Sequence, residues 1–524
     1  MNTTHSYVKA RITALLLMSG ILLSALFTSP ALSQTEEVKL CIIHINDLHG
    51  YLLPYEDRNM APPPEKVGGA AYVAAKIEEL KKANKGSCIL LDAGDIAQGT
   101  PLSNEFRGEP VIDFMNKVGF DATTLGNHEF DWGIDTLRKM LSREKFPCIC
   151  ANVLDSKTGK LASFIREPYT ILTAAGIRIG IIGITTPDLP KMSFEYNVRG
   201  LRFENPEKIL PGYIRELREK GVQLVGILSH CGVEGDVKMA ENVQGIDFIV
   251  GGHSHKALME PLKVKNTIIV QAGAYGMYVG ALTLTIDRSS GKILSYTDRN
   301  VLHPVINNLI TPDAEVAEMM DKYYLRLKPI MEEVIGQSKE EITKIPETGR
   351  GDMPIGNFIT DLLREYSGAD IFFLNAGGLR APLPKGPVTR DDVYKVLPFD
   401  DFTVTMDLSG QEVMDTIVQG VSGSKIIQVS GITVSFYPSM NGRDKISEVK
   451  VGDKPLDLSK TYKVGTINYL SRGGDGYATF SKGKNIVNDP ELIRDVVCRI
   501  IKEKKSIEIP QDKRLVILKD LYKS

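Results

Sequence analysis

Between Val38 and about Ile286 the chain alternates short, apolar, β-branched runs with helical patterns, and few architectures accept that alternation. The strand candidates are Lys39–Ile45, Ser87–Leu91, Ala122–Leu125, Ile177–Ile184, Leu224–Leu228, Phe248–Val250 and Thr267–Val270. One intervening helix carries Val73, Ile77 and Leu80 on a single face and stops at Gly86. Another opens with Asn205-Pro206, carries Leu210, Ile214 and Leu217, and stops at Gly221. The pattern predicts a layered α/β domain with a largely parallel sheet.

The polar residues beside these runs narrow the chemistry. The chain has eight histidines, and five of them (His49, His128, His230, His253 and His255) come just after an apolar run. Their clusters are Asn46-Asp47-Leu48-His49-Gly50, Gly126-Asn127-His128-Glu129-Phe130-Asp131, Ser229-His230 and Gly251-Gly252-His253-Ser254-His255; Gly94-Asp95 follows a further strand. Carboxyl ends of strands are where ligands bind in open α/β sheets. Any one cluster alone reads better as a turn or a hydrogen-bonded surface residue, because Asn, Asp and Gly tolerate left-handed backbone. Together they supply imidazole, carboxylate and amide donors without a thiolate, a set suited to zinc, manganese, cobalt or iron. The donors are too many for one catalytic ion, which keeps an open position. Two ions sharing one carboxylate would use them all, and such pairs clamp the attacking and departing oxygens of a phosphoryl displacement.

A second region starts near Gly336. Between the two, Pro312 to Ile335 reads as one helix, with a start signal at Thr311-Pro312 and a stop at Gly336. At about 1.5 Å per residue it would be about 36 Å long, enough to bridge two domains rather than pack inside one. In the second region Ile355, Ile359, Leu362 and Tyr366 share a helical face ending at Gly368, and Ser409 with Glu412 forms a capping box. There is no internal repeat or low-complexity tract.

The clusters resemble the signature of calcineurin-like metallophosphoesterases. Asn-Asp-x-His-Gly, Gly-Asp-x-x-Gln-Gly-Thr over 94–100, Gly-Asn-His-Glu-Phe-Asp and Gly-Gly-His-Ser-His are similar to the 5′-nucleotidase/UDP-sugar hydrolase branch, and the second region resembles that branch's C-terminal domain. The resemblance implies an N-terminal four-layer αββα sandwich over 36–310, a linker helix over 311–336 and a C-terminal α/β nucleotide-binding domain over 337–524. It makes Asp47, His49, Asp95 and His255 the ligands of one ion. Asp95, Asn127, His230 and His253 hold the other, with Asp95 bridging. Some exported members carry an amide in place of His255, a difference that bears on metal preference. His128 takes the position of a catalytic histidine that binds no metal, and Asp131 that of its orienting carboxylate. The bland reading of Asp131 is an N-cap for a helix starting near Gly133.

In the second region Asn375 and Arg380 follow the apolar run Ile371–Leu374, with Phe399 in Leu397-Pro398-Phe399 and Tyr469 six residues before Asp475. Read singly, these are turn, core and ion-pair residues. An exposed aromatic pair can instead sandwich a base, an acid can accept from ribose hydroxyls, and arginine fits phosphate in a fork. The resemblance favours the second reading: Phe399 and Tyr469 match the stacking pair, Asp475 the ribose acid, and Asn375 and Arg380 contacts to base and phosphate. Arg350 resembles another nucleotide-binding arginine. The resemblance also implies that the domains reorient, and the capped helical pattern between two self-sufficient domains makes 312–336 the candidate hinge region.

Lys9 and Arg11 precede an apolar run from Ala14 to Phe27 and small residues at Ala31-Leu32-Ser33, the pattern of a signal peptide over 1–33. That run is shorter than the roughly 20 residues a spanning helix needs. The expectation is an exported protein, periplasmic or extracellular, without a stable membrane anchor. Sixty-three basic against 65 acidic residues give a net charge of −2, so no global field recruits a nucleic-acid polymer. Six cysteines are too few for a disulfide scaffold at this length. The expected function is a 5′-nucleotidase with two divalent ions, acting on nucleoside 5′-phosphates and open to UDP-sugars, as a monomer or homodimer. A 2′,3′-cyclic-nucleotide 2′-phosphodiesterase/3′-nucleotidase shares the architecture, and a nucleotide-binding protein with vestigial catalysis is the reading from a different class.

Overall fold

The computed structural model describes residues 36–518 apart from 58–59, 63–64, 194, 347–350, 423–425 and 439–443. The candidate leader over 1–33 and Arg350 therefore lie outside the described residues. Two sheets pack face to face in the first domain. One runs in the order Ile293–Tyr296, Tyr278–Asp287, Glu37–Ile45, Cys88–Asp92, Ala122–Thr124 and Cys148–Ile149, with Leu302–Pro304 paired onto the Tyr278–Asp287 strand. The other runs Leu262–Val264, Thr267–Val270, Phe248–Gly251, Leu224–His230, Ile177–Thr185 and Tyr169–Ala174.

Each central strand is buried on both sides, which is why these runs read as continuously apolar. In Glu37–Ile45, Leu40 and Ile42 face the second sheet, whereas Cys41, Ile43 and Ile45 join the helices outside. The helix Ala70–Ala83 contributes Val73, Ile77 and Leu80 to that outer layer. On the far side Pro206–Glu219, capped by Asn205, buries Leu210, Ile214 and Leu217 against the second sheet. The result is four layers, αββα. The strands 37–45, 88–92, 122–124 and 148–149 are mutually parallel, as are 177–185, 224–230, 248–251 and 267–270. The loops bearing the His and Asp clusters follow the C-terminal ends of these parallel strands.

The expected bridging helix is shorter than 312–335 and buries one face in the first domain. It spans Ala314–Met331, and Val316, Met320, Tyr323, Leu327 and Met331 form a stripe buried in the same core as the Ala70–Ala83 helix. Eighteen residues make about 27 Å. Beyond Met331 the stripe has no apolar successor at Glu332 or Glu333, and Val334–Ser338 leaves as a strand pairing with Gly386–Thr389 and Ser506–Ile507.

The second region is built on a five-stranded sheet, Gln428–Ser430, Ile371–Leu374, Thr461–Ile467, Phe402–Ser409 and Lys484–Leu492. The helix Pro354–Ser367 ends at Gly368 with φ 60°, and Gly410–Val421 opens with the Ser409–Glu412 capping box. All six cysteines are unpaired. Among the described residues no helix is long and apolar enough to cross a membrane.

Candidate dinuclear metal centre

Five of the predicted ligands have left-handed backbone: Asp47 (φ 50°), His49 (48°), Asp95 (53°), His253 (76°) and His255 (53°). Such conformations are uncommon outside glycine, and a strained one costs about 1–3 kcal/mol, so the surroundings must over-determine it. They do. Asp47 N–H donates to the Gly94 carbonyl at 3.0 Å and His49 N–H to that of Asp95 at 2.9 Å, tying the first loop to the second. His253 N–H donates to both carboxylate oxygens of Asp47 at 3.0 and 2.9 Å, tying in the last. Gly126 lets the Asn127 loop approach: a Cβ there would sit 2.1 Å from Asp95 Oδ1.

The donor atoms converge. Asp47, His49 and His255 offer ligand atoms within 4.8 Å of one another, and Asp95, His230 and His253 do the same. Asp95 Oδ2 lies 2.9 Å from His230 Nε2 and 3.8 Å from His49 Nε2, which places it between the two groups. His49 Nδ1 bonds the Gln98 carbonyl at 2.8 Å and His230 Nδ1 that of Ala93 at 2.7 Å. A carbonyl accepts only, so each Nδ1 carries a proton and each Nε2 is left facing inward as the atom that could ligate a metal. Asn127 Oδ1 is buried without a hydrogen-bond partner.

The electrostatics ask for cations. Burial works against a charged His230, yet Asp95 and Asp47 beside it push its pKa up to about 10. Burial would raise the Asp95 carboxyl, but His230 and His128 hold it well below the carboxylate range. His49 is driven down to about 4, chiefly by burial. Anionic carboxylates that draw positive charge onto His230, beside inward-facing imidazole nitrogens, fit the divalent ions that the donor chemistry implies.

His128 lies beside the ligands, with Nδ1 bonded to Asp131 Oδ2 at 2.5 Å and its N–H donating to Asp95 Oδ1 at 2.8 Å. Asp131 is not an N-cap: the helix Ile134–Arg143 is capped by Gly133 without a side-chain bond. Burial opposes a charged His128, but Asp131 and Asp95 outweigh it and push its pKa up to about 10. Its side chain is 33% exposed, toward a cavity of about 690 Å³ also lined by Asn127 and His253 and, from the second domain, by Asn468 and Arg472.

Sequence reasoning missed Glu129. Fully enclosed, it accepts from the backbone N–H of Asp95 at 3.0 Å, Ile96 at 2.8 Å and Gly126 at 2.6 Å, and so clamps the bridging loop to the Asn127 loop. Glu129→Ala would strand three buried donors at about 1–3 kcal/mol each. A fall of several kcal/mol in unfolding free energy, together with loss of bound metal, is expected on denaturant titration and elemental analysis. Asn46 was passed over too. It donates to Gly273 O and to Asp47 Oδ2 and accepts from Ala272 N–H.

In the second domain, Asp475 accepts from Asn375 Nδ2 and from Tyr469 Oη, both at 2.9 Å, which joins three predicted residues. Tyr469 and Phe399 are 45% and 49% exposed, and neither ring stacks on another aromatic side chain among the described residues. Arg380 is exposed. Phe399, Tyr469 and Asp475 are not among the residues lining the cavity that holds His128.

Two family models match: "Calcineurin-like phosphoesterase" over residues 41–257 and "5′-nucleotidase, C-terminal domain" over 334–482. The 5′-nucleotidase of Vibrio parahaemolyticus serotype O3:K6 is 30% identical over 519 residues, covering 87% of this chain and 88% of that one. This chain belongs to the 5′-nucleotidase family. Its fold superposes on the 5′-nucleotidase precursor of Thermus thermophilus with a TM-score of 0.65 at 32% identity, covering 92% of this chain and all of that one. The family also reaches larger proteins. The trifunctional nucleotide phosphoesterase protein YfkN of Bacillus subtilis is 29% identical over 506 residues, 85% of this chain but 32% of YfkN's own length. Within the 5′-nucleotidase frame, the metal-ligand groups lie inside the first matched segment, and the Asn375–Tyr469–Asp475 cluster lies inside the second.

Proposed function

We propose that this chain is an exported two-metal phosphohydrolase that releases orthophosphate from nucleoside 5′-monophosphates. The observation that carries this reading is the convergence of two donor groups on Asp95 beside the Asp131-held imidazole of His128. Asp47, His49, Asp95 and His255 would hold one ion and Asp95, Asn127, His230 and His253 the other; zinc, manganese and cobalt suit the set. Bound there, the ions supply Lewis acidity and an activated water.

The chain's own residues do the rest. His128, positively charged and fixed at Nδ1, presents Nε2–H to the phosphoryl oxygens and the departing 5′ oxygen. Asn127 adds an amide beside it. Phe399 and Tyr469 grip the base, Asp475 accepts from the ribose with Asn375 beside it, and Arg380 forks toward phosphate, with Arg350 as a further nucleotide-binding arginine. Holding base and phosphate at separate sites makes attack at phosphorus effectively unimolecular. In this family frame the nucleoside grip on one domain must deliver phosphate to ions on the other, and a reorientation between domains would bring it there.

Phosphate release from AMP, 3′-AMP, 2′,3′-cyclic AMP and UDP-glucose, with and without chelator and with metals restored after stripping, tests the reading. AMP is expected to be turned over fastest, and chelation to stop it. Preference for 3′-AMP or the cyclic nucleotide would assign the chain to the phosphodiesterase/3′-nucleotidase alternative. No release from any substrate with any metal would leave a nucleotide-binding protein.

The aromatic pair makes a separate prediction. Stacking contributes about 1–3 kcal/mol per ring, so Phe399→Ala with Tyr469→Ala should raise KM for AMP by about 30-fold or more. KM for p-nitrophenyl phosphate, which has no base, should move less than about twofold. Equal losses on both substrates would mean the rings do not hold a base.

A further inference from the structure

The ligands of the candidate ion pair are not equally well held. His49 and His230 are each oriented through Nδ1 by a backbone carbonyl. His255 has no Nδ1 partner among the described residues, its side chain is 35% exposed, and its own backbone is left-handed at φ 53°. An imidazole on such a residue would swing between rotamers, and a ligand that swings binds weakly. Something else must hold the ring.

Two rings touch it: His49, itself a candidate ligand, at 5.0 Å, and Tyr275, which is not one. The Tyr275 centroid lies 5.3 Å from that of His255 at 80° and 5.7 Å from that of His49 at 57°, so one phenol leans on two imidazoles of the same ligand group. Tyr51 supports it from behind at 4.3 Å. Tyr51 and Tyr55 in turn line an apolar cavity of about 350 Å³ with Leu327 and Met331 of the Ala314–Met331 helix. Tyr275 also stands at φ 59°, an outlier for a bulky side chain, and its N–H donates to the Asp47 carbonyl at 2.8 Å. Glycine would adopt that turn without strain. A tyrosine there implies that the ring has work the backbone cannot do.

We infer that Tyr275 is the positioning residue for His255, and through it sets how tightly the Asp47–His49–His255 site holds its ion relative to the Asp95–His230–His253 site. The inference rests on the dinuclear reading above. It assigns the phenol no step in the reaction; its action is on ring orientation, as an outer partner acts on a metal ligand.

The test strips the full-length protein, titrates Mn(II) by calorimetry, and records the electron paramagnetic resonance of the loaded forms, with His255→Ala and His253→Ala as references for losing one site or the other. Wild type and Tyr275→Phe are expected to take up two equivalents with the spectrum of coupled ions. Tyr275→Ala and Tyr275→Gly should keep one tight equivalent and bind the second about 10- to 100-fold more weakly, with the uncoupled spectrum of His255→Ala. Tyr275→Gly matters most, because it relaxes the backbone while removing the ring, and so separates positioning from folding. Two tight, coupled equivalents in Tyr275→Gly would overturn the inference, since the turn alone would then suffice. A His253→Ala-like spectrum would overturn it as well. Fewer than two equivalents in wild type would overturn the dinuclear reading and this inference with it.

Discussion

Asp95→Ala is expected to lose both ions and to lower kcat/KM for AMP by about four orders of magnitude or more. Each ion stabilises transition-state charge by several kcal/mol, and every 1.36 kcal/mol is about tenfold in rate. The size of the effect follows from geometry. Asp95 is 1% exposed, and its Oδ2 faces both His230 and His49 while its Oδ1 accepts from His128 N–H. Removing it takes the shared anion from two sites and the anchor from the catalytic loop. Asp95→Asn keeps the shape and the acceptor for His128 but not the charge, and should retain part of the metal affinity. Elemental analysis and melting temperature with and without added metal check this. In wild type, ions that bind the folded state alone should raise the melting temperature; in Asp95→Ala that increment should vanish. Two ions and more than a tenth of the activity remaining in Asp95→Ala would remove it from the bridging position.

What could be read from residue order alone follows from what the fold buries. Strands enclosed on both faces show as apolar runs, and the C-terminal edge of a parallel sheet shows as polar residues after them, so the strands were legible together with the six candidate donors Asp47, His49, Asp95, His230, His253 and His255 that the structure brings together. Caps were legible because they are local: Asn205, Ser409 with Glu412, and Gly368 each act on their own helix. Glu129 was not, since its partners are backbone N–H groups at positions 95, 96 and 126, and its place in the Gly126–Asp131 run gives no sign of them. Three buried donors close to a buried acid is a three-dimensional fact. The same holds for Tyr275, whose conformation no tyrosine advertises. The linker helix ends before the glycine that would stop it. Its apolar stripe had already stopped at Met331, and the following residues had strand partners far along the chain. His44 marks the converse. It shares a strand with the site's first loop, yet it lies between the sheets with both nitrogens unpartnered and is driven by burial down to about 3, a core residue and not a ligand.

His128→Ala should keep both ions and lose about 10²–10⁴-fold in kcat, the usual range for a positioned acid–base group. The two variants separate the roles: one is read in metal content, the other in turnover with metal content unchanged. Asp131 supplies the sharper test. Two dications nearby would drive a proton off His128, and the carboxylate bonded at 2.5 Å opposes them, being the largest influence that raises its pKa. A group with a raised pKa is charged at low pH and loses that charge as pH rises through the raised value. Activity that needs the charged imidazole must therefore fall on the alkaline side. Asp131→Asn keeps a hydrogen-bonding partner at Nδ1 but removes the charge, so the alkaline limb of kcat against pH should move toward lower pH, with kcat at its maximum reduced less than in His128→Ala. An alkaline limb unmoved in Asp131→Asn would assign that ionisation to another group and leave Asp131 with an orienting role alone. Unchanged turnover in His128→Ala would take the imidazole out of the chemistry altogether.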